Sequence, residues 1–177
     1  GRVSVVEVMG RNCGDIAVHS GIAAGAEAIL VPEIKKSDNQ WLDYIVQKLR
    51  TSFSRGKKYG IIVMAEGVYH APKMHHFTAD YIASWLNANA ETVGHRVDAR
   101  GCVIGHVQRG GTPSGRDRVN ATRMGYRAVE LLAEGKTNRL ISIRNGKMCD
   151  VDIEQGLAET KGIDKEELTV LEAMTCK

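Results

Sequence analysis

Cysteine is scarce and scattered in this chain of 177 residues. Cys13, Cys102, Cys149 and Cys176 form no Cys-x-x-Cys pair, which excludes a zinc ribbon and a disulfide framework and leaves free or buried thiols. Long apolar runs are lacking too. Residues 61–65 are typical of the longest, far short of the roughly 20 that a membrane helix needs. Nothing at the amino end reads as a signal peptide, so no membrane is expected and the expected compartment is the cytoplasm. Charge of one sign is also missing: 24 Lys and Arg against 21 Asp and Glu leave only +3, with acids and bases interleaved, which argues against nucleic acid. There is no internal repeat, no low-complexity tract, and no Gly-x-Gly-x-x-Gly or Walker-type loop for a nucleotide. His75 and His76, with His70 nearby, find no carboxylate or Cys to complete a ligand set, so no metal is expected there.

What is present alternates between two periods. Residues 3–8 are β-branched and read as a strand ending in the turn Met9-Gly10-Arg11. Small and apolar residues over 15–26 predict a helix packed closely on a sheet, and residues 28–31 a second strand stopped by Pro32. Such a strand, helix, strand unit is parallel with a right-handed crossover. Asp38 is the expected N-cap of a helix whose Trp41, Ile45, Leu49 and Phe53 recur every fourth position as one buried stripe. Residues 59–65 form the next strand, closed by Glu66-Gly67. Phe77, Tyr81, Ile82, Trp85 and Leu86 mark another helix, and residues 97–104 a fourth strand. The prediction is an α/β fold: a parallel sheet of about four strands with flanking helices.

Beyond Gly111 the character shifts. Val119, Tyr126, Val129, Leu131 and Leu132 lie on a long helix over 114–135 ending at Gly135, and Asn145-Gly146 between two short apolar runs signals a hairpin. Ile153 and Leu157 predict a short helix. Asp164 with Glu167 makes a capping-box-like start for another, carrying Leu168, Leu171 and Met174.

The segment Gly105-His106-Val107-Gln108-Arg109-Gly110-Gly111-Thr112-Pro113 sits where the fourth strand hands over to the long helix. In α/β sheets ligands bind outside the carboxyl ends of strands, and helix N-termini offer N–H groups to anions. His106 and Arg109 add cationic donors, and Gly110 and Gly111 let the backbone approach. A phosphorylated small molecule fits that chemistry. On spacing alone, though, a His and an Arg in a Gly-rich turn also describe an ordinary surface loop, Glu66 equally fits a loop cap, and Arg2 and Arg100 equally fit solvated surface charge. The cations around Arg55-Gly56-Lys57-Lys58 read first as complements to a helix C-terminus.

Three blocks in order, Val8-Met9-Gly10-Arg11-Asn12-Cys13-Gly14, Ala65-Glu66-Gly67 and the segment from Gly105 to Pro113, resemble the phosphofructokinase family, and the likeness runs to about Asp152. The resemblance implies fructose 6-phosphate as substrate. His106 and Arg109, with Val107 and Gln108, would hold its phosphate; Arg2 and Arg100 would reach into a neighbouring subunit's site; Glu66, Met9 and Gly10 would orient the sugar hydroxyls. Arg11 would act catalytically on the transferring phosphoryl group. In bacterial members the positions of Gly25, Ala26, Glu27, Arg55, Lys57, Lys58 and Tyr59 line an allosteric site for ADP or phosphoenolpyruvate, with Glu27 the partner of the effector's magnesium. ATP with Mg2+ is the expected donor, pyrophosphate the alternative, and the expected assembly a homo-oligomer, a tetramer. The family's nucleotide loop and general-base Asp have no match here. The expectation is therefore the second half of a longer polypeptide, inactive alone: residues 1–109 a substrate- and effector-binding domain, residues 110–177 a segment of helices and hairpin belonging partly to the nucleotide domain. A non-catalytic sugar-phosphate-binding regulatory module is the alternative from another class. A half that has drifted to bind a fructose bisphosphate as effector is a further one.

Overall fold

Side chains alternate across a strand, so each strand of a sheet covered on both sides must feed two cores. In the computed structural model, which describes residues 1–69, 76–159, 162–164, 166, 167, 169, 170 and 173, three strands do this and a fourth feeds one core. β1 (Arg2–Val8), β2 (Ala28–Leu30), β3 (Tyr59–Ala65) and β4 (Asp98–Val103) form one parallel sheet in the order β2-β3-β1-β4. Val3, Val5, Ala28, Leu30, Ile62, Met64 and Ala99 meet α2 (Asp38–Ser54), α3 (Ala79–Ala88) and α4 (Ala90–Val93) on one face. Val8, Ile29, Val63 and Ala65 meet α1 (Asp15–Ala24) on the other. This is the α/β sheet the sequence predicts.

The stripe on α2 is buried as expected, with Leu42 beside Trp41, Ile45, Leu49 and Phe53. The cap is not the expected one. Ser37, in an extended conformation, is the N-cap: its Oγ accepts from the Gln40 N–H while Gln40 Oε1 accepts from the Ser37 N–H at 2.9 Å. Asp38 is instead the first helical residue, where its charge complements the helix dipole. Small residues let α1 lie close to the sheet, since a Cβ on Gly21 would come within 2.1 Å of Ile29 Cδ1. That helix lies mainly over β2 and β3, and on its side of the sheet Ser4, Arg100 and Cys102 stay exposed. The four-residue α4 was not expected; it is too short to carry a period.

The chain divides into two compact units, Gly1–Arg109 with the described part of Gly162–Lys177, and Gly110–Lys161. The tail thus departs from the expected run of 110–177. Ile163 packs on the α1 side of the first core, Glu166 N–H donates to Asp164 Oδ1 at 2.9 Å, and residues 166, 167, 169, 170 and 173 are helical. Leu168, Leu171, Met174 and Cys176 lie outside the described residues, as do His70 and His75. His76 sets its Nε2 2.6 Å from Asp38 Oδ2.

The second unit holds α5 (Gly115–Ala133), the antiparallel hairpin β5 (Arg139–Arg144) with β6 (Lys147–Asp152), and α6 (Ile153–Ala158). Ser114 and Asp117 form a capping box at the start of α5. Asn145 (φ 50°) and Gly146 (φ 76°) make the predicted two-residue turn, whose left-handed pair matches the twist of the strands.

Candidate functional site

The register of the sheet sets Val8 beside Ala65 and Glu7 beside Val103, so three strands deliver their exits to one edge. Met9, Gly10 and Arg11 leave β1; Glu66–Val68 forms a short 3₁₀ turn after β3; Gly105–Arg109 forms another after β4. These turns are bonded to each other. Glu66 Oε1 accepts from the N–H groups of Gly10 (3.1 Å) and Arg11 (2.8 Å), and Gln108 Oε1 accepts from the Met9 N–H at 2.8 Å. Arg11 is held at φ 52°, a left-handed conformation uncommon outside glycine. Gly67 is needed where it stands, because a Cβ there would meet the Arg11 carbonyl oxygen at 2.0 Å.

Met9, Gly10, Arg11, Ile16, Glu66, Gln108 and Arg109 line a cavity of about 300 Å³. Two arginines and one glutamate therefore line one cavity, and Glu66 Oε2 has no hydrogen-bond partner among the described residues. Arg supplies a planar fork suited to phosphate oxygens, while a carboxylate oxygen accepts from a hydroxyl. Burial, then the charges of Glu7 and Glu66, raise the Tyr69 hydroxyl above its ordinary pKa. His106 and Val107 share the turn of Gln108 and Arg109 but are exposed and outside the lining. Ile16, Glu33 and Tyr69 were not singled out from sequence. Glu33 could have been, because it follows Pro32 at the exit of β2 and strand exits are where α/β sites form.

Arg2 and Arg100 are not brought to this cavity. Arg2 opens β1 at the opposite edge, and Arg100, with its side chain 80% exposed, pairs with Asp98 at 3.1 Å. Arg2 lines a cavity of about 670 Å³ there with Lys58, Tyr59, Arg96 and Asp98.

The second predicted cluster also lies at that amino edge. Gly25 caps α1 in a left-handed conformation, Arg55 caps α2, and Ala26 is buried. Glu27 is only 4% exposed and its carboxylate is occupied from within. Oε1 takes the Lys57 ammonium (2.8 Å) and the Ser52 hydroxyl (3.2 Å), and Oε2 accepts from the Ile61 N–H. Glu27 N–H donates in turn to the Ile61 carbonyl at 2.8 Å, so the side chain prolongs the β2–β3 ladder by one rung. Each oxygen of Glu27, the residue expected to meet an effector's magnesium, thus has a partner within the chain. The Glu27–Lys57 pair acts as an internal staple. Strands of seven residues put the two edges about 20 Å apart.

Sheet order, strand-end cations and carboxylate define an α/β domain with an anion-suited cavity at its carboxyl edge. Residues 1–132 match the family model described as Phosphofructokinase, and the chain belongs to that family. It is 44% identical over 166 residues to the ATP-dependent 6-phosphofructokinase of Clostridium botulinum strain Hall, covering 93% of this chain and 46% of that one. The chain spans about half the length of the curated relatives it matches. Among solved structures, phosphofructokinase from Saccharomyces cerevisiae superposes with a TM-score of 0.76 at 32% identity, over 98% of this chain and 21% of that one. A pyrophosphate-dependent phosphofructokinase from Nitrosospira multiformis gives 0.65 at 26%, over 92% and 42%.

Proposed function

We propose that this chain is the sugar-phosphate-binding half of an ATP-dependent 6-phosphofructokinase, which transfers a phosphoryl group from ATP to the 1-hydroxyl of fructose 6-phosphate and yields fructose 1,6-bisphosphate. The observation that carries the reading is the cavity in which Arg11, Glu66 and Arg109 converge. Arg109 and the neighbouring His106 bind the 6-phosphate. Glu66 Oε2 and the Met9–Gly10 backbone receive sugar hydroxyls. Arg11, lining the same cavity, supplies a cation that stabilises charge developing on the transferring group. ATP is favoured over pyrophosphate by the relative at 44% identity, whose name is ATP-dependent, against 26% for the pyrophosphate-dependent structure.

The nucleotide's magnesium meets no cluster of three His, Cys, Asp or Glu side chains among the described residues. That ion, the nucleotide and the base that takes the hydroxyl proton belong to the other half, towards which residues 110–161 return. Arg2 and Arg100, on the open side of the sheet, serve a neighbouring copy in a tetramer working in the cytoplasm. Gly25, Arg55, Lys58 and Tyr59 present an anion-binding face for ADP or phosphoenolpyruvate, with Lys57 held by Glu27 behind them.

The test is Arg109→Ala in the polypeptide completed by its other half. Losing a charged hydrogen bond to phosphate, worth about 1.5–3 kcal/mol, raises the half-saturating fructose 6-phosphate concentration by about 10- to 100-fold. An unchanged half-saturation removes Arg109 from the site.

A further inference from the structure

Between the Arg11 turn and α1 lies a grip that involves neither of the clusters above. Glu33, two residues beyond the last buried position of the β2 exit, reaches across to the exit of β1. Its Oε1 accepts from the Gly14 N–H at 2.9 Å, and its Oε2 is buried without a hydrogen-bond partner. Gly14 is the N-cap residue of α1, and its own N–H is taken by a carboxylate from another strand's exit, the bond that an N3 side chain makes in a capping box. The fit is close: a Cβ on Gly14 would lie 2.5 Å from Val31 Cγ1 and 2.9 Å from Glu33 Oε2. Residues 9–14 are therefore held at both ends, by Glu66 on Gly10 and Arg11 and by Glu33 on Gly14, with the Cys13 N–H closing onto the Gly10 carbonyl at 3.0 Å between them.

A buried carboxylate oxygen without a partner destabilises a fold. Here the two anchors flank the left-handed backbone of Arg11, one on its own N–H and one at Gly14. We propose that Glu33 is a positioning residue for Arg11, acting through the backbone of residues 9–14 and touching no substrate. The proposal rests on the kinase reading for its catalytic consequence and on the geometry alone for its structural one.

Glu33→Ala removes the acceptor and Glu33→Gln keeps it. In the 177-residue chain, amide hydrogen exchange followed by NMR reads the grip directly. Glu33→Ala speeds exchange by about tenfold or more at Gly14 and also at Gly10 and Arg11, and Glu33→Gln restores the three. Glu33→Asp, one methylene shorter, replaces the Ala variant should that variant not fold. In the completed enzyme the Ala variant loses about tenfold or more in kcat while half-saturation by fructose 6-phosphate rises by a smaller factor, because the phosphate contacts of Arg109 and His106 are untouched and only the sugar contacts of the Met9–Gly10 backbone loosen. Exchange confined to Gly14, or kcat unchanged in a folded variant, overturns the proposal. A wild-type enzyme that does not phosphorylate fructose 6-phosphate overturns the kinase reading instead, and the exchange result still decides the role of Glu33.

Discussion

The two units of this chain are held together by different means. The first buries apolar residues on both faces of its sheet, with Trp41, Ile45, Leu49, Ile62 and Leu86 fully enclosed. The second encloses Leu131 alone among its described apolar residues, and leaves Val119, Tyr126, Val129, Leu132 and Leu157 exposed. In place of a core it has a network of ions: Arg127 reaches Glu130, Glu134 and Asp150, and Arg139 grips Asp150 at 2.7 Å. Surface ion pairs contribute little each, while buried apolar side chains contribute about 1.5–3 kcal/mol apiece. The lesson is that the first unit specifies itself. The second has an apolar helix face that its own residues do not cover.

Three changes break or sharpen this contrast. The largest effect is expected from Trp41→Ala, which opens a cavity in the first core and costs about 3–5 kcal/mol, read by urea unfolding with probes in each unit. The contrast fails if the second unit loses as much. A smaller effect follows from Ser114→Ala, which removes the cap of α5 and costs about 1 kcal/mol in the second unit only, seen as a lowered hairpin and helix midpoint with the first unit unmoved. The smallest is a response to acid. The hydrogen bond from Arg139, then that from Arg127, holds the Asp150 carboxyl below the usual carboxylate range. A depressed folded pKa means that the stabilisation is complete above the unfolded value of about 3.9 and is lost as pH falls through the folded one. Hairpin amide signals therefore persist through the ordinary carboxylate range, and Arg139→Gln moves their loss to higher pH.

Much of this fold was legible because the residues that matter repeat. The fourth-position stripe of α2 and the β-branched runs of β1 and β3 each announce their element. The cap of α2 was misplaced by one residue, yet its signal was present: a box needs Gln or Glu three places on, which Ser37 has in Gln40 and Asp38 does not. Sheet order and register were not legible, since they arise from pairing between strands far apart in sequence. That Arg11, Glu66 and His106 would leave the sheet at one edge followed from the exits of parallel strands; that Arg109 and not His106 lines the cavity did not. The amide-to-carboxylate bonds that fasten those exits did not, and neither did the inward turn of Glu27, because a side chain's partners depend on neighbours that no local pattern names.

The bond from Glu66 to two amides has a chemical corollary. Oε1 is already saturated by two N–H donors, so a guest's hydroxyls are received by Oε2 alone, whose two lone pairs accept at most two bonds at one point. Adjoining hydroxyls must therefore converge on a single atom rather than lie along two parallel acceptors.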